Sequence, residues 1–113
     1  MNLEQRIDAF AKLGDFFGQF TTKGIIKKET SETNTLFFDA FKMQIERAHE
    51  FNGWFTKENV LFAIESLAKA LSVENLEKWT SSYNFKGSSS KNIAIIMAGN
   101  IPLVGFHDLL SVL

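Results

Sequence analysis

One short segment near the C-terminus constrains the fold more than any other part of the sequence. Residues 93–98 read Ile-Ala-Ile-Ile-Met-Ala, an apolar run whose length and β-branched side chains favour a strand. The run does not alternate apolar with polar residues, so we expect both faces to be buried, as in an inner strand of a parallel or mixed sheet. Pro102 suits the first turn of a helix. The stretch from Lys91 to Leu113 therefore predicts a strand near 92–98, a tight loop and a helix from about residue 103.

The predicted strand has no obvious partner in the chain. A strand that is buried on both faces needs a neighbour on each side, and no other stretch reads as a convincing strand. The helix that follows ends at Leu113 without a cap or a polar tail. We therefore expect these 113 residues to be the front part of a longer protein, cut just after its first β-α step.

Apolar periodicity predicts four helices before residue 84, so the fold class is mainly α. The first helix covers residues 2–20, where apolar side chains recur at three- or four-residue steps. Gly14 and Gly18 within it favour close packing of a neighbouring element. A loop over 21–33 leads to the second helix, which is capped by Thr33 or Asn34 and runs to about residue 50.

The third and fourth helices follow from their capping residues. Thr56 is a good N-cap for the third helix and Ser72 for the fourth. Trp54 and Trp79 flank these helices, and we interpret both as core anchors rather than as ligand-stacking platforms. The chain thus divides into a helical N-terminal region (1–84), a linker (85–91) and a terminal strand-loop-helix unit (92–113).

Composition excludes several classes of function. The formal net charge of -1 gives no case for a nucleic-acid partner, and no apolar run approaches the length of a membrane span. The first ten residues contain acids and lack the apolar core of a signal peptide, so we expect a cytoplasmic protein. The chain has no cysteine, which removes disulfides, thiolate metal sites and a cysteine nucleophile. Its 12 phenylalanines should form much of the core.

Motif searches leave one polar residue of interest. The P-loop, the G-x-G-x-x-G fingerprint, the G-x-S-x-G elbow and the H-E-x-x-H motif are all missing. His49 lies near Glu46 and Glu50, but a metal site needs at least three convergent ligands, so we predict no metal site. Asn100 lies in the loop at the carboxyl end of the strand, the edge where ligands bind in open α/β sheets. Its amide can donate to an oxyanion, or it can satisfy backbone groups of its own loop.

The same stretch carries a family resemblance. The sequence IAIIMAGNIPLVGFHDLLSVL, and within it MAGNIPLVGFHD, resembles a segment of the bacterial acyl-CoA reductases related to the fatty-acid reductase of bioluminescence. The region from WFTKENV to LEKW is similar to the helical lead-in of that family, whereas the first fifty residues match it only in general character. The family belongs to the aldehyde dehydrogenase superfamily. The resemblance implies a helical lead-in joined to the first strand-loop-helix unit of an aldehyde dehydrogenase-like α/β fold, so that residues 92–113 would be the first β-α unit of its cofactor-binding domain.

The resemblance also implies a reaction. Family members transfer an acyl group from an acyl-CoA or acyl-protein thioester to an enzyme cysteine. They then reduce it to an aldehyde with a nicotinamide cofactor, usually NADPH. The catalytic cysteine has no counterpart in these residues, so this segment alone is not expected to perform the reaction.

Site residues are implied by position within the family motif, an apolar strand that runs into Asn-x-Pro. Asn100 matches the asparagine whose amide donates to the oxyanion of the thiohemiacetal. Residues matching the strand end that lines the nicotinamide side of the cofactor pocket are Ile96, Met97, Ala98 and Gly99. The superfamily often has a tryptophan where this chain has Gly99, and the difference opens the pocket and fits the reductase branch.

Two further expectations concern partners. A lone strand with unpaired edges and a terminal helix with an exposed apolar face should make the fragment self-associate by strand pairing or helix swapping. The alternative to a reductase is a non-enzymatic helical interaction module that keeps or mimics the reductase segment.

Overall fold

The chain is mainly helical, which confirms the predicted fold class at this level. The computed structural model describes residues 1–87 and 89–113; Ser88, within the predicted linker, lies outside the described residues. The elements in chain order are α1 (Leu3–Phe17), β1 (Phe20–Thr21), β2 (Gly24–Ile25), α2 (Asn34–Phe51), α3 (Lys57–Ala70), α4 (Val73–Thr80) and α5 (Phe106–Val112).

Helix α1 begins with a capping box and ends earlier than predicted. The Asn2 side chain accepts a hydrogen bond from the Gln5 backbone N–H (2.8 Å), and the Gln5 side chain accepts one from the Asn2 N–H (3.0 Å). The helix ends at Phe17 rather than near residue 20, because the chain beyond Gly18 turns into β1.

The predicted loop over 21–33 contains a small hairpin. Strands β1 and β2 pair antiparallel, with Phe20 opposite Ile25 and Thr21 opposite Gly24. Gly24 has a φ of +153°, which favours glycine because it has no Cβ. Each strand has two residues, which is too short to produce a period-two pattern that sequence analysis can recognise.

A buried pair of amides joins the end of α1 to the start of α2. The Gln19 Nε2 group donates to Asn34 Oδ1 (2.8 Å), and Asn34 Nδ2 donates to Gln19 Oε1 (2.6 Å). Lys28 bonds both side chains through its backbone, because its N–H donates to Gln19 Oε1 (2.8 Å) and its carbonyl accepts from Asn34 Nδ2 (2.6 Å). Gln19 Nε2 also donates to the Phe16 carbonyl (3.1 Å). The two side chains are therefore buried without an unpaired polar atom.

This network overturns the predicted cap of the second helix. Helix α2 begins at Asn34, and neither candidate side chain caps it. The Thr33 hydroxyl instead shares a hydrogen bond with the Ser31 hydroxyl (2.8 Å), while the Asn34 amide is committed to Gln19. Asn34 therefore bonds a residue that is distant in sequence, Gln19, instead of capping its own helix.

Phenylalanine rings fill the centre of the core, as composition predicted. Phe20 is fully buried, and its ring centroid lies 4.9 Å from that of Phe38, 5.0 Å from Phe41 and 5.3 Å from Phe16. These distances are typical of favourable aromatic pairs. The hairpin residue Phe20 thus holds α1 and α2 together.

Close packing at Gly14 and the caps of α3 and α4 are confirmed. A Cβ at Gly14 would lie 2.8 Å from the Leu71 Cβ, so only glycine permits this approach, whereas Gly18 has no such neighbour. Thr56 and Ser72 each accept a hydrogen bond from the backbone N–H three residues on, at 3.2 Å in both cases.

The interpretation of the tryptophans as core anchors is wrong. The Trp54 side chain is 71% exposed and that of Trp79 is 36% exposed. Trp54 lies in a turn whose backbone is fixed by polar bonds: its N–H donates to Asn52 Oδ1 (3.0 Å) and its carbonyl accepts from Asn59 Nδ2 (3.2 Å). The turn needs no contribution from the indole ring, which stays at the surface.

The predicted strand near 92–98 is not formed, and the last helix starts later than predicted. Residues 92–98 make no backbone pairing within the described chain, and Ile96 is 98% exposed. The physical reason is that β1 and β2 pair only with each other, which leaves this segment without a partner. Helix α5 begins at Phe106 rather than about 103, because residues after Pro102 form turns in which Leu103 has a φ of +59°.

None of the helices in residues 1–87 and 89–113 combines the length and the hydrophobicity that crossing a bilayer requires.

Replacing Asn34 by alanine should destabilise the whole helical unit. The change removes both hydrogen bonds between the Gln19 and Asn34 amides and the bond from Asn34 Nδ2 to the Lys28 carbonyl, which should cost about 1–3 kcal/mol. The matched control is Gln44→Ala, which removes an exposed amide from the same helix. Urea unfolding followed by circular dichroism measures the difference, and equal unfolding midpoints for the two variants would contradict the role of the amide pair.

Candidate functional site

The segment with the predicted site residues borders a shallow apolar depression in front of α5. The depression has a volume of about 300 Å³. Its lining residues are almost all apolar: Phe55, Met97, Ala98, Gly99, Ile101, Leu103, Val104, Gly105, Phe106 and Leu109. The structure thus brings Met97, Ala98 and Gly99 together, with ring carbons of Phe55 and Phe106 nearby.

Gly105 allows the Met97 side chain to pack directly against its backbone. Gly105 is buried, and a Cβ at this position would lie 2.9 Å from the Met97 Cβ and would overlap the Met97 Cγ and Sδ atoms. A larger residue at position 105 would push the Met97 side chain away, so the absence of a side chain here lets the start of α5 and the segment before it lie in close contact.

Asn52 forms a second contact with the segment, close to Met97. This residue directly follows α2, and its Nδ2 group donates to the Gly99 carbonyl (2.9 Å) while its Oδ1 accepts from the Trp54 N–H (3.0 Å). One side chain therefore links the α2–α3 turn to the predicted site. Sequence analysis missed this contact; the Asn52-Gly53 pair signalled a turn, but nothing indicated the distant carbonyl.

Asn100 and Ile96 lie outside the lining of the depression. Asn100 is exposed, and its amide makes no hydrogen bond within residues 1–87 and 89–113. Both of its amide groups are therefore accessible to a bound molecule or to solvent. Ile96 is almost fully exposed on the extended segment.

The other polar clusters singled out in the sequence form ordinary surface ion pairs. Glu50 Oε2 accepts from Arg47, and Glu46 lies 4.0 Å from Lys57, so the acids near His49 are paired with other cations. In the described part of the chain, no three histidine, aspartate or glutamate side chains converge as a metal site would require. In the loop over 21–33, Lys27 likewise has an acidic neighbour, since its Nζ lies 3.7 Å from an Asp39 carboxylate oxygen.

A second cavity, of about 140 Å³, lies between α1, α4 and α5. Trp79 and Tyr83 line it, and their ring centroids are 6.2 Å apart in an edge-on arrangement. The Trp79 ring also lies 5.9 Å from the His107 ring of α5. These contacts place the second tryptophan at the joint between the helical region and the terminal segment.

Glu65 is the one carboxylate of the described residues with a strongly displaced pKa. Hydrogen bonds from Lys69 (2.9 Å) and from the backbone and hydroxyl groups of Thr22 (3.1 and 2.9 Å) lower its pKa from 4.5 to about 2. The contact ties the tip of the β1–β2 hairpin to α3, so this electrostatic effect belongs to the fold rather than to the depression.

Comparison of the chain with protein-family models, curated proteins and solved structures finds no match.

The displaced pKa of Glu65 predicts an acid-sensitive contact. Because the folded-state pKa is lowered, the charged carboxylate stabilises the fold above pH 4.5, and this contribution is lost as the pH falls towards about 2. The difference in Tm between wild type and Glu65→Gln should therefore be largest near neutral pH and should shrink towards zero near pH 2.

The control for this measurement is Glu58→Gln, which removes an exposed carboxylate from the same helix without breaking an ion pair of the described residues. A constant Tm difference between wild type and Glu65→Gln across this pH range would contradict the assignment.

Proposed function

We propose that the chain is the N-terminal part of an acyl-CoA reductase that converts a fatty acyl thioester to an aldehyde with a nicotinamide cofactor. The observation that carries the proposal is the form of the segment before α5. It has no regular secondary structure, its backbone is unpaired within the described residues, and it ends in Asn-Ile-Pro with the Asn100 amide accessible. The sequence resemblance around this segment supports the same reading.

The unpaired backbone suits a strand of an aldehyde dehydrogenase-like sheet. An inner strand needs hydrogen-bonding partners on both edges, and residues 93–98 have the β-branched side chains and the free backbone groups that such a position requires. In the proposed enzyme, the partner strands and the catalytic cysteine come from residues beyond this chain.

The depression fits one part of the proposed cofactor. Its apolar lining at Met97, Ala98 and Gly99 suits the face of a nicotinamide ring, whereas the phosphates would need polar groups from elsewhere. NADPH, when bound, supplies the hydride. The role of this chain would be to hold the ring through the backbone of residues 97–99. The hydrogen bond from Asn52 and the packing of Met97 against Gly105 position that backbone.

Asn100 would act on the other reactant. An accessible side-chain amide at the end of the segment can donate to the oxyanion that develops on the acyl carbon, and such donors act mainly in the transition state. The proposed substrates are acyl-CoA or acyl-protein thioesters, and the proposed compartment is the cytoplasm.

The second candidate is a non-enzymatic helical interaction module. It is favoured by the exposed apolar side chains of α2, where Leu36 is 74% exposed and Phe37 is 56% exposed. Surface hydrophobic clusters of this kind mark contacts with other proteins. A chain that works only through this surface would need neither Asn100 nor a cofactor.

Asn100→Ala in the full-length protein should lower turnover by about 10²–10³-fold, which is the typical loss for one oxyanion donor. The KM values for acyl-CoA and NADPH should change much less, because the oxyanion exists mainly in the transition state. The measurement is acyl-CoA-dependent oxidation of NADPH, with the fold checked by circular dichroism.

The matched control is Asn92→Ala, which removes another exposed asparagine from the same segment. Near-full turnover by folded Asn100→Ala would remove the proposed role of this residue. If the wild-type protein oxidised no NADPH with acyl-CoA of any chain length, the reductase proposal would fall and the interaction module would remain.

A further inference from the structure

Helix α2 has a second apolar face that the fold of one copy does not use. Besides the residues that it buries in the core, it exposes Leu36, Phe37, Ala40 and Met43. Leu36 is 74%, Phe37 56% and Met43 47% exposed. At about 100° per residue, these four positions lie within one third of the helix circumference. They form one continuous stripe, called here the α2 stripe.

An apolar groove of about 620 Å³ runs beside the α2 stripe, between α1 and α2. Phe16, Phe17 and Phe41 line it together with Leu13 of α1, and the rings of Phe17 and Phe41 are stacked with centroids 5.6 Å apart. Phe37 and Ala40 belong to the groove as well as to the stripe. The protruding α2 stripe and the groove, both apolar, therefore lie side by side on one face of the molecule.

We propose that this face binds a second copy of the chain, with the two α2 helices packed antiparallel across a two-fold axis near Ala40. A two-fold interface requires a surface that complements itself. Here the stripe of each copy enters the groove of the other, and the small side chain of Ala40 lets the helices approach at the crossing point. With Ala40 on the axis, Phe37 of one copy lies opposite Met43 of the second copy.

The charges of α2 favour this antiparallel arrangement. Glu32 precedes the helix, and Arg47 lies near its end, on the same side as the stripe. Antiparallel packing brings Glu32 of one copy towards Arg47 of the other, which could exchange its pairing with Glu50 of its own helix for the new one. It also sets the positive N-terminal end of each helix beside the negative C-terminal end of its neighbour. Lys42 lies roughly opposite the centre of the stripe, while Asp39 and Glu46 border the stripe on the side away from α1; all three are exposed.

The interface would be of modest size. An 18-residue helix is about 27 Å long, so one helix pair and its groove should fall near the lower end of the range for specific interfaces. We therefore expect a reversible, concentration-dependent dimer. This inference does not rest on the reductase proposal, because it uses neither the terminal segment nor a cofactor.

Cross-linking tests the geometry directly because the natural chain has no cysteine. Helices that cross at alanine approach to about 8–10 Å between axes, which brings their Cα atoms to roughly 4–5 Å at the axis. This separation is within reach of a disulfide. Ala40→Cys oxidised with diamide should therefore give a covalent dimer, whereas Lys42→Cys, on the opposite side of α2, should remain monomeric.

Sedimentation equilibrium tests the interface without cross-linking. Wild type should dimerise as its concentration rises, Ala40→Glu should be monomeric, and Lys42→Glu should dimerise as wild type does. Ile96→Pro serves as a further control, because it blocks strand pairing by the terminal segment without affecting α2.

Three results would overturn the proposal. The first is a wild-type monomer at concentrations up to about 1 mM. The second is a dimer that persists in folded Ala40→Glu but is lost in Ile96→Pro, which would assign self-association to the terminal segment. The third is equal cross-linking of Ala40→Cys and Lys42→Cys, which would indicate random collision. If Ala40→Glu did not fold, the cross-linking pair would decide.

Discussion

The buried hydrogen bonds between Gln19 and Asn34 are the interaction on which the helical unit depends. Both amides are shielded from water, so every donor and acceptor must find a partner inside the protein, and each does. Because the same two side chains also bond both backbone groups of Lys28, they fix the path of the chain between α1 and α2. That path delivers Phe20 to the centre of the core.

The terminal segment differs from this region in how its polar and apolar groups are satisfied. In the helical unit, polar groups that leave water are paired, and the apolar rings of the core lie in contact with each other. From residue 92 to residue 98, the chain instead presents apolar side chains and unpaired backbone groups to its surroundings. Among the described residues, the Asn52–Gly99 hydrogen bond and the close contact of Met97 with Gly105 position the C-terminal end of this segment. A segment whose sequence suits an inner strand is thus attached to the helical unit only through the contacts at its C-terminal end.

The features that sequence predicted correctly are local ones. Caps at Thr56 and Ser72 depend on a hydroxyl and the backbone N–H three residues away, so they are visible in the sequence. The features that it missed depend on distant partners. Asn34 resembles a cap in the sequence, but its amide bonds Gln19 instead. Trp54 resembles a core residue, but the polar bonds of its turn to Asn52 and Asn59 leave the ring at the surface. Residues 93–98 have strand propensity, but pairing requires a second strand.

Amide hydrogen exchange measured residue by residue tests whether a closed helical unit carries a terminal segment with an unpaired backbone. We expect strong protection of the backbone amides inside α1, α2 and α3 and slow exchange of the Asn34 side-chain amide. We expect exchange close to the rate of an unstructured peptide for residues 93–98. Protection of residues 93–98 equal to that of α3, or an Asn34 side chain that exchanges as fast as the exposed amide of Gln44, would contradict this arrangement.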